Sequence, residues 1–289
     1  MVAIGVRVPG AGLARAVASR ILCAASLADG CGDEPTLIAA YGTEIGELVR
    51  RHMPMLAFEP GARAVPVDFR RCRSSACGDS SGSDGSGGDE GSGTEPVHRT
   101  DAGLPVTAFV HVVDCRARKE SYGADCSPPR AGSLYIQYWL YYADSATLRD
   151  LPVAGEEGYH RDDWEGVQIR IGPDGEVDER ASSHNGYNHS RSVVNWASDA
   201  GLDLLRDGAE AIGAREANGW GPETGILLVS GGSHAGNAAG LPHVGNFTPG
   251  RRVHLIPLEP VAASDASTFA ITPPWRKHVW RDPEAAGTD

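Results

Sequence analysis

Acidic and histidine side chains crowd the start of one strand-like stretch of the sequence. His160, Asp162, Asp163 and Glu165 all lie within "GYHRDDWEGVQIRI", residues 158–171. A solvated turn would account for such charges, but carboxylates and imidazoles placed together are also the ligands that proteins offer to metal ions. The stretch therefore raises the question of whether other segments bring partners to the same place.

Alternation along two segments places three carboxylates at one end of a predicted core. The apolar rows are Leu134, Ile136, Tyr138, Leu140 and Tyr142 in the first segment, and Val167, Ile169 and Ile171 in the second. Asp144 continues the first row at its end, and Asp163 and Glu165 precede the second at its start. Since alternate side chains share a face, antiparallel pairing of the two segments would collect these acids at one rim.

A turn sequence adds a histidine to this rim. "GPDG" at 172–175 separates two alternating segments and predicts a hairpin. With residue 172 opposite 175, Asp163 lies opposite His184, and a turn of another length would shift this pairing by about one residue. His160 is expected in the adjoining loop.

The predicted rim has the chemistry of a divalent-cation site. Like charges gathered at a sandwich mouth repel each other unless a cation neutralises them. Carboxylates favour Ca²⁺ or Mg²⁺ over Mn²⁺, and Zn²⁺ is the weaker choice, although His160, His184 and His234 keep zinc open. A solvated rim with alternating salt bridges is the simpler alternative, but the alternation of the strands favours the metal.

Strands dominate the elements that would position this site. Alternating segments occur in "VTAFVHVVDC", "GSLYIQYWLYYAD", "WEGVQIRIG" and "EVDERASSH", and apolar runs follow in "GILLVS" and "RRVHLIPLE". An amphipathic helix is predicted after Ser198, with Leu202, Leu205, Ala209 and Ile212 on one face. The pattern predicts a mainly β protein, an antiparallel β-sandwich with one or two flanking helices.

The chain length suits one domain with appendages. Residues 36–77 and 97–289 are predicted to form a single β-sandwich domain, which begins with a short amphipathic helix and an extended segment. Residues 78–96 are almost wholly Gly, Ser and acid and cannot bury enough apolar surface, so we expect a disordered insert. Residues 1–35 have the features of a weak signal, an anchor or a helix.

Charge and hydropathy exclude some partners. The net charge of −12 argues against nucleic acid and against capture by anionic lipid. The apolar stretch "ARAVASRILCAASLA" is too short and too charged to span a bilayer, so we expect no transmembrane span.

The six cysteines fall in close pairs. Cys72 with Cys77 and Cys115 with Cys126 are expected to form disulfides, because each pair would close a short loop beside predicted strand ends. Such bridges indicate a secreted or cell-surface protein, with reduced thiols as the alternative.

Several other residues have two interpretations. Trp164 has the opposite parity to the carboxylates and is expected to pack under the predicted helix. His234, in the Gly-rich "SGGSHAGN", is either a turn histidine or a support for the site. "PPWRKHVW" is expected to strap the sandwich closed and not to expose an aromatic patch.

The same motifs resemble known families. "GYHRDDWEGV" resembles the "GHRHDWE" heptapeptide of the necrosis- and ethylene-inducing peptide-like proteins, and "QYWLYYAD" and "SSHNGYN" match further motifs in the same order. "LVSGGSHAGNAAG", "PPWRKHVW" and residues 40–69 are similar to the vacuolar protein sorting-associated protein 62-like family, which is nearer overall. Together the resemblances cover roughly 36–70 and 104–283.

The resemblance implies a β-sandwich that holds a divalent cation at one end, near the surface where cytolytic members meet sphingolipid sugar headgroups. It places the metal ligands on Asp144, His160, Asp163 and Glu165, and the motif histidine on His184. Asp162 stands where the heptapeptide has its second histidine, and the C-terminal half departs from the cytolysins. Metal binding is therefore expected to transfer better than toxicity.

Three functions follow from these features. The favoured one is a secreted, cation-dependent module that recognises a polar headgroup or glycan, with exposed aromatics such as Tyr159 or Tyr187 and with His184 and His234 near the ligand. The second is a metal-assisted hydrolase of a phosphoester or glycoside, with His184 or His234 as base. The third is a non-catalytic domain whose ion only stabilises a loop.

Overall fold

A computed structural model describes most of the predicted sandwich. It covers residues 34–59, 62, 64–80, 96–117, 120–121, 123–146, 159–183, 186–189, 218–238, 245–258 and 267–285. The N-terminal segment, residues 81–95 of the predicted insert, His184 and the helix predicted after Ser198 lie outside the described residues.

Strands form most of the regular structure. They are β1 (Met55–Phe58), β2 (Thr107–Asp114), β3 (Glu120–Ser121), β4 (Ala124–Asp125), β5 (Leu134–Ala146), β6 (Tyr159–Ile171), β7 (Val177–Ser183), β8 (Gly186–Asn188), β9 (Gly221–Pro222), β10 (Ile226–Val229), β11 (Gly236–Asn237), β12 (Phe247–Thr248) and β13 (His254–Pro257). The helices are α1 (Glu34–Tyr41), α2 (Thr43–Arg51) and the short α3 (Ser75–Gly78), with 3₁₀ turns η1 (Gly250–Arg252), η2 (Pro274–Arg276) and η3 (His278–Trp280).

The strands build two main sheets. The large sheet has the order β13-β2-β5-β6-β7-β8, with β9 also pairing β7, and the small sheet has the order β11-β10-β1-β12. The predicted mainly β fold is confirmed. Both sheets are mixed, however, because β1 pairs β10 in parallel and β2 pairs β13 in parallel. These partners are far apart in the sequence, and only such long connections allow parallel pairing.

The predicted inward-facing rows form the main core. The apolar even positions of β5 are buried in one cluster with Val167 and Ile169 of β6. The small sheet contributes Leu56 and Leu227 to the same cluster, and the helices α1 and α2 pack on it. Alternation along β5 and β6 is therefore enough to predict which face of the large sheet meets the small one.

A second, aromatic layer covers the outer face of the large sheet. Trp164 packs there against Phe69 at 5.3 Å and Trp275 at 6.1 Å between ring centroids. Trp275 and Trp280 are both buried, so residues 273–280 expose no aromatic patch, but they cover the outer face of the large sheet, and their cluster includes no residue of the small sheet. Trp164 is a packing residue, as its parity predicts, but its described aromatic neighbours are Phe109 and Tyr141 of the sheet, Phe69, and Phe269 and Trp275 from the C-terminal part of the chain.

The hairpin between β6 and β7 differs from its prediction by one residue. Val167 pairs with Ala181, and Ile171 pairs with Val177. Gly175 lies at φ 86°, and the backbone N–H of Gly172 donates to the carbonyl of Glu176 at 2.9 Å. The turn therefore includes a left-handed glycine and one additional residue, as three-residue hairpin loops do. The predicted pairing of residues 172 and 175, which placed Asp163 opposite His184, is wrong.

The two predicted disulfides are present. Cys72 and Cys77 are bridged with Cα atoms 6.3 Å apart, and Cys115 and Cys126 with Cα atoms 5.1 Å apart. Among the described residues, no helix is long and apolar enough to cross a membrane.

The edges of the predicted insert contact the sandwich. Gly78 and Ser80 are buried. The carbonyl of Gly78 accepts from the Val65 N–H at 3.0 Å, and the carbonyl of Asp79 accepts from the Asp101 N–H at 2.8 Å. The insert was predicted to begin at residue 78, but residues 78–80 are part of the described structure and contact the sandwich.

Candidate functional site

The register of β5 and β6 brings the predicted acids to one end of the strand pair. The cross-strand pairs at this end are Leu140–Glu165, Tyr142–Asp163, Asp144–Arg161 and Ser145–His160. Asp144, Asp163 and Glu165 therefore lie within a few residues of one another along the pair, as the alternation predicts. Asp163 and Glu165 are buried, whereas Asp144 is half-buried.

Asp163 contacts a buried histidine from a distant loop. Its Oδ2 atom lies 2.8 Å from Nδ1 of His234, whose side chain is 5% exposed. The His234 ring is stacked on Tyr142, with centroids 3.8 Å apart and planes 5° from parallel. On the other side, Nε2 of His160 lies 3.9 Å from Oδ1 of Asp163, and this histidine is more exposed. One carboxylate thus lies between two imidazoles.

A tight loop after β10 positions His234. The N–H of His234 donates to the Ser230 carbonyl at 3.1 Å, and His234 itself is left-handed with φ 57°. The Gly231 N–H donates to the Glu59 carboxylate at 2.8 Å, which ties the loop to the end of β1. A left-handed histidine persists only where its surroundings hold it. His234 is therefore a loop histidine that also contacts Asp163, and its role in a binding site stays a prediction.

Glu165 has a hydroxyl partner that sequence reasoning missed. The Ser182 hydroxyl donates to Oε2 of Glu165, and the Gly166 N–H donates to the Ser182 oxygen. Glu165 is 8% exposed. Ser182 carries no signal in the sequence, because it is one of two serines in a strand whose pairing depends on the turn.

The Tyr142 hydroxyl is buried beside these acids, and it has no hydrogen-bond partner among the described residues. Burial, followed by the negative charges of Asp163 and Glu165, raises the pKa of Tyr142 well above its usual value. The group is therefore a neutral hydroxyl that can both donate and accept. Buried polar groups are nearly always paired, so an unpaired one at a cluster of acids indicates a missing partner. Sequence reasoning assigned Tyr142 to packing alone.

Asp162, next to Asp163, belongs to the opposite face. Its carboxylate accepts two bonds from Arg73, at 2.9 and 2.7 Å, one from the Tyr141 hydroxyl at 2.7 Å and one from the Ala270 N–H at 2.9 Å. Burial alone would raise the pKa of Asp162, but these hydrogen bonds lower it below its usual value. Where the resembling heptapeptide has a histidine, this chain has an acid that joins three segments.

Tyr187 is not part of the site. It was expected to be an exposed groove residue, and this expectation is wrong because the side chain is fully buried in the outer aromatic layer. Its hydroxyl accepts from Nε2 of Gln168 at 3.0 Å, and the Arg180 guanidinium lies 3.9 Å from the ring centroid. Tyr187 pairs in register with Ser182 across β7 and β8, and its ring packs in the cluster that contains Trp275 and Trp280 of the strap. His184 and the Tyr159 side chain lie outside the described residues.

A metal ion at this site would be coordinated mainly by oxygen atoms. Among the described residues, no group of three or more His, Cys, Asp or Glu side chains is arranged to hold an ion. Asp163 and Glu165 nevertheless offer buried carboxylate oxygens, and Tyr142 adds a hydroxyl oxygen that has no partner in the described part of the chain. Hard oxygens suit Ca²⁺ or Mg²⁺ better than Zn²⁺. The metal set that includes Asp144 and His160 stays a prediction.

Comparisons with known proteins show a distant similarity in structure only. No protein-family model and no curated protein matches the sequence, so the resemblance to the vacuolar protein sorting-associated protein 62-like family has no support there. A solved structure described as "NLPPya in complex with glucosamine" is similar with 16% identity and a TM-score of 0.38, covering 82% of this chain and 87% of the other. A second, "Toxin fold as basis for microbial attack and plant defense", has 17% identity and a TM-score of 0.36, covering 82% and 88%. Similarity this distant does not identify a function.

Proposed function

We propose that the protein is a secreted, cation-dependent binding module that recognises a polar headgroup or a glycan. The ligand binds at the end of β5 and β6, beside the loop that carries His234. One observation carries the proposal: two buried carboxylates, Asp163 and Glu165, lie beside the buried hydroxyl of Tyr142, which has no hydrogen-bond partner among the described residues. The disulfides support the extracellular location.

A cation would relieve the electrostatic cost of this site. Burying an ionised carboxylate is unfavourable unless a positive charge or several donors accompany it. Asp163 has His234 at 2.8 Å, and Glu165 has the neutral Ser182 hydroxyl. Calcium or magnesium adds positive charge and prefers these oxygens, and Asp144, His160 and His184 are the residues proposed to complete the set.

Sugar and headgroup hydroxyls fit the remaining groups. A ligand hydroxyl can donate to the Asp163 or Glu165 carboxylate and can accept from the Tyr142 hydroxyl, which is neutral because its pKa is raised. Hydroxyl oxygens are also ligands of calcium. A polyhydroxylated ligand therefore satisfies the acids, the tyrosine and the ion together.

The Asp163–His234 contact favours a second candidate, a hydrolase of phosphoesters or glycosides. A carboxylate 2.8 Å from one imidazole nitrogen orients the ring and leaves the other nitrogen to accept a proton, which is the arrangement of an oriented general base. In that case His234, which the described contacts hold in place, is the base.

The first experiment measures ion binding. Metal content is measured on the purified full chain, and thermal and urea unfolding are followed with CaCl₂, MgCl₂, MnCl₂, ZnCl₂ or EDTA. An ion that binds only the folded state stabilises it by about 2.7 kcal/mol at a hundredfold excess over Kd. Asp163→Asn should abolish this gain, whereas Glu47→Gln, which removes an exposed carboxylate from α2, should keep it. Equal responses in both variants would contradict the proposed site.

The second experiment separates the two functions. Glycan and lipid-headgroup arrays are probed with and without EDTA, and the same preparations are assayed for phosphoester and glycoside hydrolysis. Chelator-sensitive binding without turnover supports the module. Turnover that disappears in His234→Ala, while array binding remains, supports the hydrolase.

A further inference from the structure

Arg73 links the Cys72–Cys77 loop to the strand that carries the site. Its guanidinium donates Nε and Nη2 to the two carboxylate oxygens of Asp162. It also donates to the hydroxyl and the carbonyl of Thr268, at 2.8 and 2.9 Å, and lies 4.1 Å from the Phe269 ring centroid. One side chain thus joins β6 to the segment before the C-terminal strap.

Asp162 sits at a distortion in β6. Its backbone has the left-handed conformation, with φ 62°. The Ala143–Asp162 pair is missing from the register between the pairs Tyr142–Asp163 and Asp144–Arg161. A non-glycine residue keeps such a conformation only when its surroundings determine it. The bonds from Arg73, together with those from Tyr141 and Ala270, are what hold the Asp162 carboxylate.

The residues on either side of this distortion belong to the site. Asp163 directly follows Asp162 and contacts His234. His160 lies two residues before Asp162. A change in the Asp162 backbone therefore has to change the direction of Asp163 or the position of His160. The hydrogen bonds from Arg73, Tyr141 and Ala270 to Asp162, which we call the Asp162 clamp, lie on the outer face. The clamp and the inner-face site share one short stretch of main chain.

The disulfide next to Arg73 is more accessible than the other described one. Cys72 and Cys77 are half-buried, and residues 74–76 between them are exposed. Cys115 and Cys126 are 3% and 5% exposed. Access decides which disulfide a thiol attacks first, so a reductant should reach the Cys72–Cys77 bridge before the buried one.

We propose that Arg73 and Asp162 are positioning residues for the acidic site, and that the Cys72–Cys77 disulfide makes this positioning redox-sensitive. A dithiol reductant transfers two electrons and two protons to the bridge, which breaks the protein S–S bond and leaves two cysteine thiols and the reductant as a cyclic disulfide. The opened loop no longer fixes the main chain of Arg73, the bonds to Asp162 loosen, and Asp163 loses its alignment with His234. The effect on ligand binding rests on the function proposed above, whereas the lost alignment of Asp163 with His234 does not.

The test uses the full chain and stepwise reduction by dithiothreitol. Alkylation with peptide mapping should label Cys72 and Cys77 at least tenfold faster than Cys115 and Cys126. At the stage where only the first pair is labelled, the imidazole NMR signals of His234 and His160 should shift, and the Kd for CaCl₂ should rise about tenfold. Unchanged imidazole signals at that stage would overturn the proposal.

Paired variants provide the control. Cys72→Ser with Cys77→Ser should reproduce the shifted imidazole signals without reductant, and Cys115→Ser with Cys126→Ser should leave them as in the oxidised protein. Where a double variant does not fold, reduction of the unmodified chain gives the same readout. If calcium fails to bind even the oxidised protein, the proposed function fails, but the imidazole shift still decides whether the Cys72–Cys77 loop positions the site.

Discussion

Asp162 and Asp163 are neighbours in the sequence and both are buried, but their surroundings differ. The Asp162 carboxylate accepts hydrogen bonds from Arg73, Tyr141 and the Ala270 backbone. The Asp163 carboxylate contacts His234, and its second oxygen lies 3.9 Å from His160. Strand alternation places Asp162 in the outer aromatic layer. It places Asp163 on the inner face, in the acidic notch formed by Asp163, Glu165 and Tyr142.

This difference separates an acid that supports the fold from one that can bind a ligand. A buried charge with a bidentate arginine and further donors has little capacity left for another partner. A buried charge that has one histidine at 2.8 Å and a second at 3.9 Å, beside the Tyr142 hydroxyl that has no partner among the described residues, retains that capacity. The count of donors around a buried carboxylate is thus a better guide to its role than its position in a motif.

The largest predicted effect is the loss of the Asp162 clamp. Arg73→Met leaves a buried carboxylate without its cation, and we expect the free energy of unfolding to fall by about 3 kcal/mol, as for other broken buried pairs. Arg116→Met is the matched control, because its carboxylate partners Glu44 and Asp114 are 73% and 19% exposed, so its loss should cost at most about 1 kcal/mol. Urea unfolding of both variants measures the difference.

Similar losses in the two variants would break the comparison. They would mean that solvent around Arg73, whose side chain is 25% exposed, weakens its pair with Asp162 to the level of a surface ion pair. Asp162 would then be no more a scaffold residue than Asp163 is.

Acid provides a second test of the same clamp. The pKa of Asp162 is lowered in the folded state, so its bonds contribute stability that is fully present above the usual value of 3.8 and is lost as pH falls through the lowered pKa. The free energy of unfolding should therefore decrease below about pH 3.8, and the gap between Arg73→Met and the unmodified protein should narrow there. Urea unfolding between pH 2.5 and 6 gives the curves, and a gap that stays constant would contradict the clamp.

Local alternation explains what the sequence could predict. The rows of β5 and β6, the end of the pair where Asp144, Asp163 and Glu165 lie, and the packing role of Trp164 all depend on a period of two. The disulfides Cys72–Cys77 and Cys115–Cys126 were predictable because each closes a short loop.

Contacts between distant segments account for the features that could not be predicted from the sequence. The hairpin shift depends on the left-handed Gly175, and the burial of Tyr187 depends on a strap about 90 residues further along the chain. The His234–Asp163 contact spans 71 residues and the Arg73–Asp162 pair spans 89. No local pattern reports such pairs, so two acids of the same motif could not be assigned their different roles from sequence.

The smallest predicted effect tests the surroundings of Asp163. Unlike most substitutions of a buried residue, this one is expected to raise the free energy of unfolding. Tyr142→Phe removes a buried hydroxyl that has no partner among the described residues, so the ligand-free protein should gain roughly 1 kcal/mol of stability. Tyr138→Phe is the matched control from the same row of β5, because its buried hydroxyl donates to the Val49 carbonyl at 2.7 Å, and its loss should cost roughly 1 kcal/mol. Urea unfolding in EDTA measures both changes, and array binding of Tyr142→Phe should be weaker than that of Tyr138→Phe. If Tyr142→Phe destabilises the ligand-free protein as much as Tyr138→Phe does, its hydroxyl already has a partner, and the notch beside Asp163 is as fully paired as the clamp around Asp162.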